Sequence, residues 1–162
     1  MSKPFTIGFG IAAVLIAFLI WRGFVETKGN HLEPTGKIGK IRAEKVDDNE
    51  MIVIVDFNLR NDADIEMVVR GMEADLTMAD GNTVKGSIIA APDLDNFFRF
   101  YPNIGEKFNP PLKMRDALAG HQNTDRMVGI RFDVPEDVWV KRKGISLRIE
   151  DKTGPITELQ GK

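Results

Sequence analysis

Residues 51–81 read MIVIVDFNLRNDADIEMVVRGMEADLTMADG, and the spacing of their apolar residues specifies β structure. Met51, Val53, Val55, Phe57 and Leu59 share one face of an extended chain, because successive side chains in a strand point to opposite sides. The other face carries Ile52 and Ile54, then Asp56, Asn58 and Arg60, so it is expected to be buried only in its first half. Asn61, Asp62, Ala63 and Asp64 then form a turn, since short polar side chains bond to their own backbone. Alternation resumes at Met72, Ala74, Leu76 and Met78. Asp80-Gly81-Asn82 predicts a hairpin turn, and Thr83 to Ala91 returns with Val84, Gly86, Ile88 and Ala90 on one side.

The same reading extends in both directions. Upstream, Ile38 and Ile41 lead through Val46 to a turn at Asp47-Asp48-Asn49. Downstream, Met127 to Val134 and Gly144 to Ile149 alternate on either side of Pro135-Glu136-Asp137, and a turn at Thr153-Gly154-Pro155 precedes Ile156 and Leu159. Between these strands the period changes. Leu94, Phe97, Phe98 and Tyr101 fall at i, i+3, i+4 and i+7, which predicts a short amphipathic helix with Asp93 as its cap and Pro102 as its stop. That helix is expected to plug one end of the core. Pro110-Pro111 through Gly120 reads as a second short helix, with a strand as the alternative. The sum is a mostly β domain, an antiparallel β-sandwich of about seven strands with one or two short helices.

Val55, Phe57, Leu59 and Asn61 followed by Val69, Gly71, Met72, Ala74 and Leu76 form an alternating strand, an asparagine turn and a hydrophobic-x-Gly step. In this the chain resembles the immunoglobulin-like β-sandwiches of the late-embryogenesis-abundant type 2 (water-stress) group and similar membrane-anchored bacterial extracytoplasmic domains. Gly129, Ile130, Phe132, Val134 and Pro135 look like the late strand of the same folds. Asn61 is followed by Asp62 where that group usually has proline. The resemblance implies an immunoglobulin-like sandwich and a binding or stress-related structural role without catalysis; it brings no functional residues.

The N-terminus is of another kind. From Phe5 to Trp21 the chain reads FTIGFGIAAVLIAFLIW, with no charge and Thr6 as its one polar side chain. As a helix this run spans about 25 Å, and about 31 Å to Val25 if Arg22 snorkels to the interface. Trp21 suits the headgroup boundary. The residues after it are too bulky for a signal-peptidase site, so the segment is expected to stay as an anchor. The expected organisation is a transmembrane signal-anchor helix with a short tail over residues 1–25, a linker over 26–36 and a β-sandwich domain over 37–162. Lys3 and the amino terminus stand on one side of the anchor and Arg22, Lys28, Lys37, Lys40 and Arg42 on the other, so the positive-inside rule alone leans against an exported domain. Anchors with tails this short usually translocate the chain on their C-terminal side, which puts the domain outside the cytoplasm on the inner membrane.

Composition narrows the function. A net charge of -2 over 162 residues supplies no basic field for nucleic acid. With no cysteine there is no disulfide, thiolate metal site or cysteine nucleophile. The two histidines, His31 and His121, stand far apart and fit neither a triad nor a metal pair. Acidic clusters at Asp47-Asp48-Glu50, Asp62-Asp64 and Asp93-Asp95 lack the spaced calcium-loop pattern and read as solvated turns. Lys141-Arg142-Lys143 reads as a basic hairpin turn. No catalytic residue, metal or cofactor is assigned.

The candidate interaction surface is Phe98, Arg99, Phe100 and Tyr101, where aromatic content is concentrated beside an arginine. The chain is therefore expected to be a non-enzymatic domain that contacts membrane lipid through its N-terminal helix and a protein partner in the cell envelope. The alternative is a carbohydrate- or small-ligand-binding module. Converging polar groups in a concave site would favour the ligand, and an apolar patch at Phe98 and Phe100 would favour the protein. Protease added to intact spheroplasts is expected to digest the C-terminal domain; its protection would place the domain in the cytoplasm.

Overall fold

The computed structural model describes residues 13–22 and 33–162. The chain divides into two compact units, Met1–Leu32 and Glu33–Lys162. In the first, residues 13–22 form helix α1, with every described side chain exposed and the Phe18 and Trp21 rings 6.3 Å apart. Among the described residues no helix is long and apolar enough to cross a membrane. The remainder of the expected span, residues 5–12 and 23–25, lies outside the described residues, as do residues 26–32 of the expected linker.

In the second unit eight strands form an antiparallel system. They are β1 (Thr35–Asp47), β2 (Glu50–Arg60), β3 (Met67–Thr77), β4 (Thr83–Ile89), β5 (Ala117–Leu118), β6 (Asn123–Phe132), β7 (Gly144–Asp151) and β8 (Ile156–Gly161). The first strand thus starts two residues inside the expected linker. The hydrogen-bonded order is β1-β2-β6-β4-β3-β7-β8, with β5 on β3. Strand β4 belongs to both halves of this order. Its residues Thr83–Gly86 pair with β3, and Ser87–Ile89 pair with β6. The result is a β-sandwich whose two sheets share one strand at an edge.

The alternation in β2 explains the core. Met51, Val53, Val55, Phe57 and Leu59 point inward and meet Val128, Ile130 and Phe132 of β6, Ala74 and Leu76 of β3, and Ile145, Leu147 and Ile149 of β7. Strands β1 and β8 stand at the two ends of the pairing order, and there the side chains of Ile38 and Ile41 lie over Gly161.

Helix α2 (Ala91–Phe100) is where the sequence placed it, but it does not plug the end of the sandwich. It lies on the outer face of the β1-β2-β6-β4 sheet, where Leu94 and Phe97 join Ile54, Met127 and Ile104 of the short 3-10 turn Pro102–Ile104 in a second apolar cluster. This explains Ile52 and Ile54 on the outward face of β2: they are the floor beneath the helix. Asp93 does not cap α2; the N-cap is Ala90, with Pro92 in the first turn and no side-chain cap. Gly129 of β6 makes the docking possible, because a Cβ there would sit 2.1 Å from Leu94 Cδ2.

Two expectations fail at short elements. Residues 110–120 are not a helix but take the strand alternative, at Ala117–Leu118. Leu112 donates to Met127 O, Met127 to Pro110 O, and Ala117–Leu118 pair with Met67 and Val68, so strand partners take up a backbone that a lone helical turn would leave unsatisfied. A helix does occur at Glu136–Val140, α3, where the sequence was read only as a break between two strands, and it buries Trp139 against Phe132. Arg142 folds back onto Trp139, 3.8 Å from the ring centroid, so the basic run does not present three free charges.

Substituting Gly129 by alanine is expected to displace Leu94 and to cost about 1–3 kcal/mol in urea denaturation. The Gly129→Ala/Leu94→Ala pair should cost less than the two single changes added together, as a shared space requires.

Candidate functional site

The β1-β2-β6 sheet carries the only described charge pair with both side chains at 8% exposure, Arg42 with Asp56. Strand register explains why they meet: Lys40 pairs with Asp56 and Arg42 with Ile54, so both charged groups lie on the outward face. Arg42 Nη2 donates to Asp56 Oδ2 at 2.8 Å. Arg42 Nη1 donates to Ile104 O at 3.0 Å and to Glu106 O at 2.7 Å. Asn109 Nδ2 completes the set by donating to Asp56 Oδ1 at 2.9 Å. The planar guanidinium fork thereby joins two backbone carbonyls of one segment, residues 104–106, to a carboxylate of β2.

Residues 104–109 are thus held at both ends, and the tip between them faces solvent. Gly105 takes φ +88°, a left-handed conformation that turns the backbone around Arg42. Lys107 Nζ meets Asp95 Oδ1 of α2 at 2.5 Å, and the hydrogen bond and positive charge hold the Asp95 carboxyl below its ordinary pKa. Phe108 stays 57% exposed. Its ring lies 4.9 Å from the Arg42 guanidinium and 5.0 Å from Lys40 Nζ, within cation–π range of both.

Beside this ring is a shallow open depression of about 660 Å³ lined by Lys37, Lys40, Asn58, Phe108, Asn109 and Asp125. Its floor is one row of the sheet, in which Lys37 pairs with Asn58 and Asn58 with Asp125. Asn58 Nδ2 donates to Asp125 Oδ1 at 2.8 Å. The strand β1 shifts register between Ile38 and Lys40, a bulge that breaks the pleat at the depression.

The four residues singled out in the sequence separate. Phe98 is half-buried beneath Arg42, 5.6 Å from its guanidinium, and Tyr101 stacks on Phe97 at 4.8 Å. Arg99 is exposed and Phe100 is 73% exposed. Phe98 and Phe100 therefore form no joint apolar patch. The expected exposure of Asp56 is also corrected: it is 5% exposed, because Arg42 and Asn109 supply the partners that permit a carboxylate to be buried. Arg42, Asp56, Phe108 and Asn109 were not candidates in the sequence. One signal was available, a lone phenylalanine in a segment whose glycine and prolines exclude regular structure.

The acidic turns stay apart, each with its own partner: Asp48 with Lys45, Asp62 with Arg60, Asp64 with His121 and Asp95 with Lys107. Among the described residues no three acidic or histidine side chains gather as metal donors. His31 lies outside the described residues.

No family model and no curated protein matches the chain. Among solved structures, one similar chain is an uncharacterized β-sandwich protein from Clostridium difficile 630, at 10% identity and TM-score 0.44, covering 82% of this chain and 87% of that one. Another belongs to the archaellum periplasmic stator protein complex FlaF and FlaG from Sulfolobus acidocaldarius, at 9% identity and TM-score 0.34, covering 83% and 94%. Likenesses this small carry no inference about function.

Removing Asp56 alone leaves the Arg42 charge buried without its carboxylate. Asp56→Ala is expected to cost about 3–5 kcal/mol in chemical denaturation. The apolar pair Arg42→Met/Asp56→Leu should recover most of that stability, while amide exchange in residues 104–109 accelerates because the carbonyl anchors are gone.

Proposed function

We propose that the chain is a non-enzymatic recognition domain of the cell envelope, tethered to the inner membrane by its N-terminal apolar segment and facing away from the cytoplasm. The observation that carries this reading is the mounting of Phe108. A buried ion pair and three further hydrogen bonds fix a loop whose tip holds an aromatic ring in solvent. Rigid aromatic side chains are favoured at recognition surfaces, since they offer contact area at low entropic cost. A ring needed only for packing would be turned inward, as Phe97 is.

The fold supports a scaffold role. The order β1-β2-β6-β4 against β8-β7-β3 is that of a constant-type immunoglobulin sandwich, and we read the domain as one. Two local features that carried the resemblance to the late-embryogenesis-abundant type 2 group have physical roles here. Asn61, 1% exposed, donates to Ile65 O and Leu118 O and accepts from Ala63 N–H, which fastens the β2–β3 turn. Gly71 sits where β3 shifts register against β7.

A photoreactive phenylalanine analogue at position 108, introduced into the full chain in its native cells, is expected to give a cross-linked species of reduced gel mobility. The same analogue at Glu158, exposed on β8, should give none. Equal yields at the two positions, or no adduct at 108, would end this reading.

A further inference from the structure

We infer that the depression beside Phe108 binds a hexopyranose unit of a carbohydrate chain, an inference that rests on the recognition reading above. A pyranose has one face of C–H bonds and a rim of hydroxyls. It therefore needs an apolar plate next to polar groups of both kinds. Phe108 supplies the plate, 57% exposed, with the Arg42 guanidinium 4.9 Å and Lys40 Nζ 5.0 Å from its ring centroid. The floor supplies the rest. Lys37 and Lys40 are donors, and Asp125 Oδ2 and the side-chain carbonyls of Asn58 and Asn109 are acceptors with no hydrogen bond among the described residues.

The register sets these groups at a useful pitch. Lys37, Asn58 and Asp125 occupy one row across three adjacent strands, which stand about 4.8 Å apart. That pitch is comparable to the separation of opposite substituents on a hexose ring. The Asn58 and Asn109 amides are already oriented by Asp125 and Asp56, so sugar hydroxyls would meet acceptors that need no reordering. Opposed to this is the case for a protein partner on the same face, and it is weaker. The apolar patch that a protein would use is divided, with Phe98 under Arg42 and Phe100 alone at the end of α2.

The site is open and holds one aromatic ring, so affinity is weak, with a Kd of about 1 mM. The test uses the full-length chain in a detergent without a sugar headgroup, titrated with maltohexaose, chitohexaose and hexagalacturonate by saturation-transfer NMR. Binding of at least one of them is expected, with Phe108→Ala weakening it about tenfold, Phe108→Trp restoring it, and Asp125→Ala reducing it. Near-UV circular dichroism should show Phe108→Ala folded, since its ring is exposed. Absence of binding by all three, or binding that Phe108→Ala leaves unchanged, overturns the inference. If position 108 still cross-links to a protein in cells, the recognition reading survives and the carbohydrate class alone falls.

Discussion

A buried ion pair on the outside of a sheet is the constraint that shapes this molecule's surface. Arg42 and Asp56 are withdrawn from water although they lie on the face that a two-layer sandwich would leave wet. Burial of that kind is tolerated only when hydrogen bonds replace hydration, and here the partners come from the segment after α2. The pair therefore dictates the course of residues 104–109, and through Lys107 and Asp95 it also links that segment to α2. Such pairs add little net stability against a well-packed apolar substitute. Their contribution here is conformational: one loop shape supplies acceptors to both terminal nitrogens of the guanidinium, while its Nε is buried without a partner.

What the sequence disclosed is what depends on period. The inward face of β2, the hairpin through Gly81 and the aromatic helix were legible because each repeats a spacing that one geometry alone explains. Asp56 was hidden, since a carboxylate among Asn58 and Arg60 reads as solvent face until a partner strand is aligned with it. Residues 110–120 misled for a related reason. Proline at the start and glycine at the end are local signals, and long-range pairing of Leu112 with Met127 and of Leu118 with Met67 overrode them. Helix α3 is five residues long, too short for any period to show.

The candidate surface illustrates the same division. The helical spacing correctly separated Phe97 and Tyr101 from Phe100, because it concerns neighbours on one element. It could not tell that Arg42, far upstream, would cover Phe98, nor that Phe108 would be set in solvent by the same residue. Contacts between remote segments created the site, and no window of sequence contains them.

The grip on the 104–109 segment uses the carbonyl groups of Ile104 and Glu106 and the single side chain of Asn109. Lys107 adds a bond to Asp95 of α2, whereas Phe108, which faces outward, contributes no hydrogen bond. Holding and reading are thus assigned to different atoms of one short loop. A change of residue at 108 alters what the surface can meet while leaving every hydrogen bond of the loop in place, so this segment behaves as an interchangeable tip on a permanent mount, its ring contacts with Arg42 and Lys40 being all that such a change gives up.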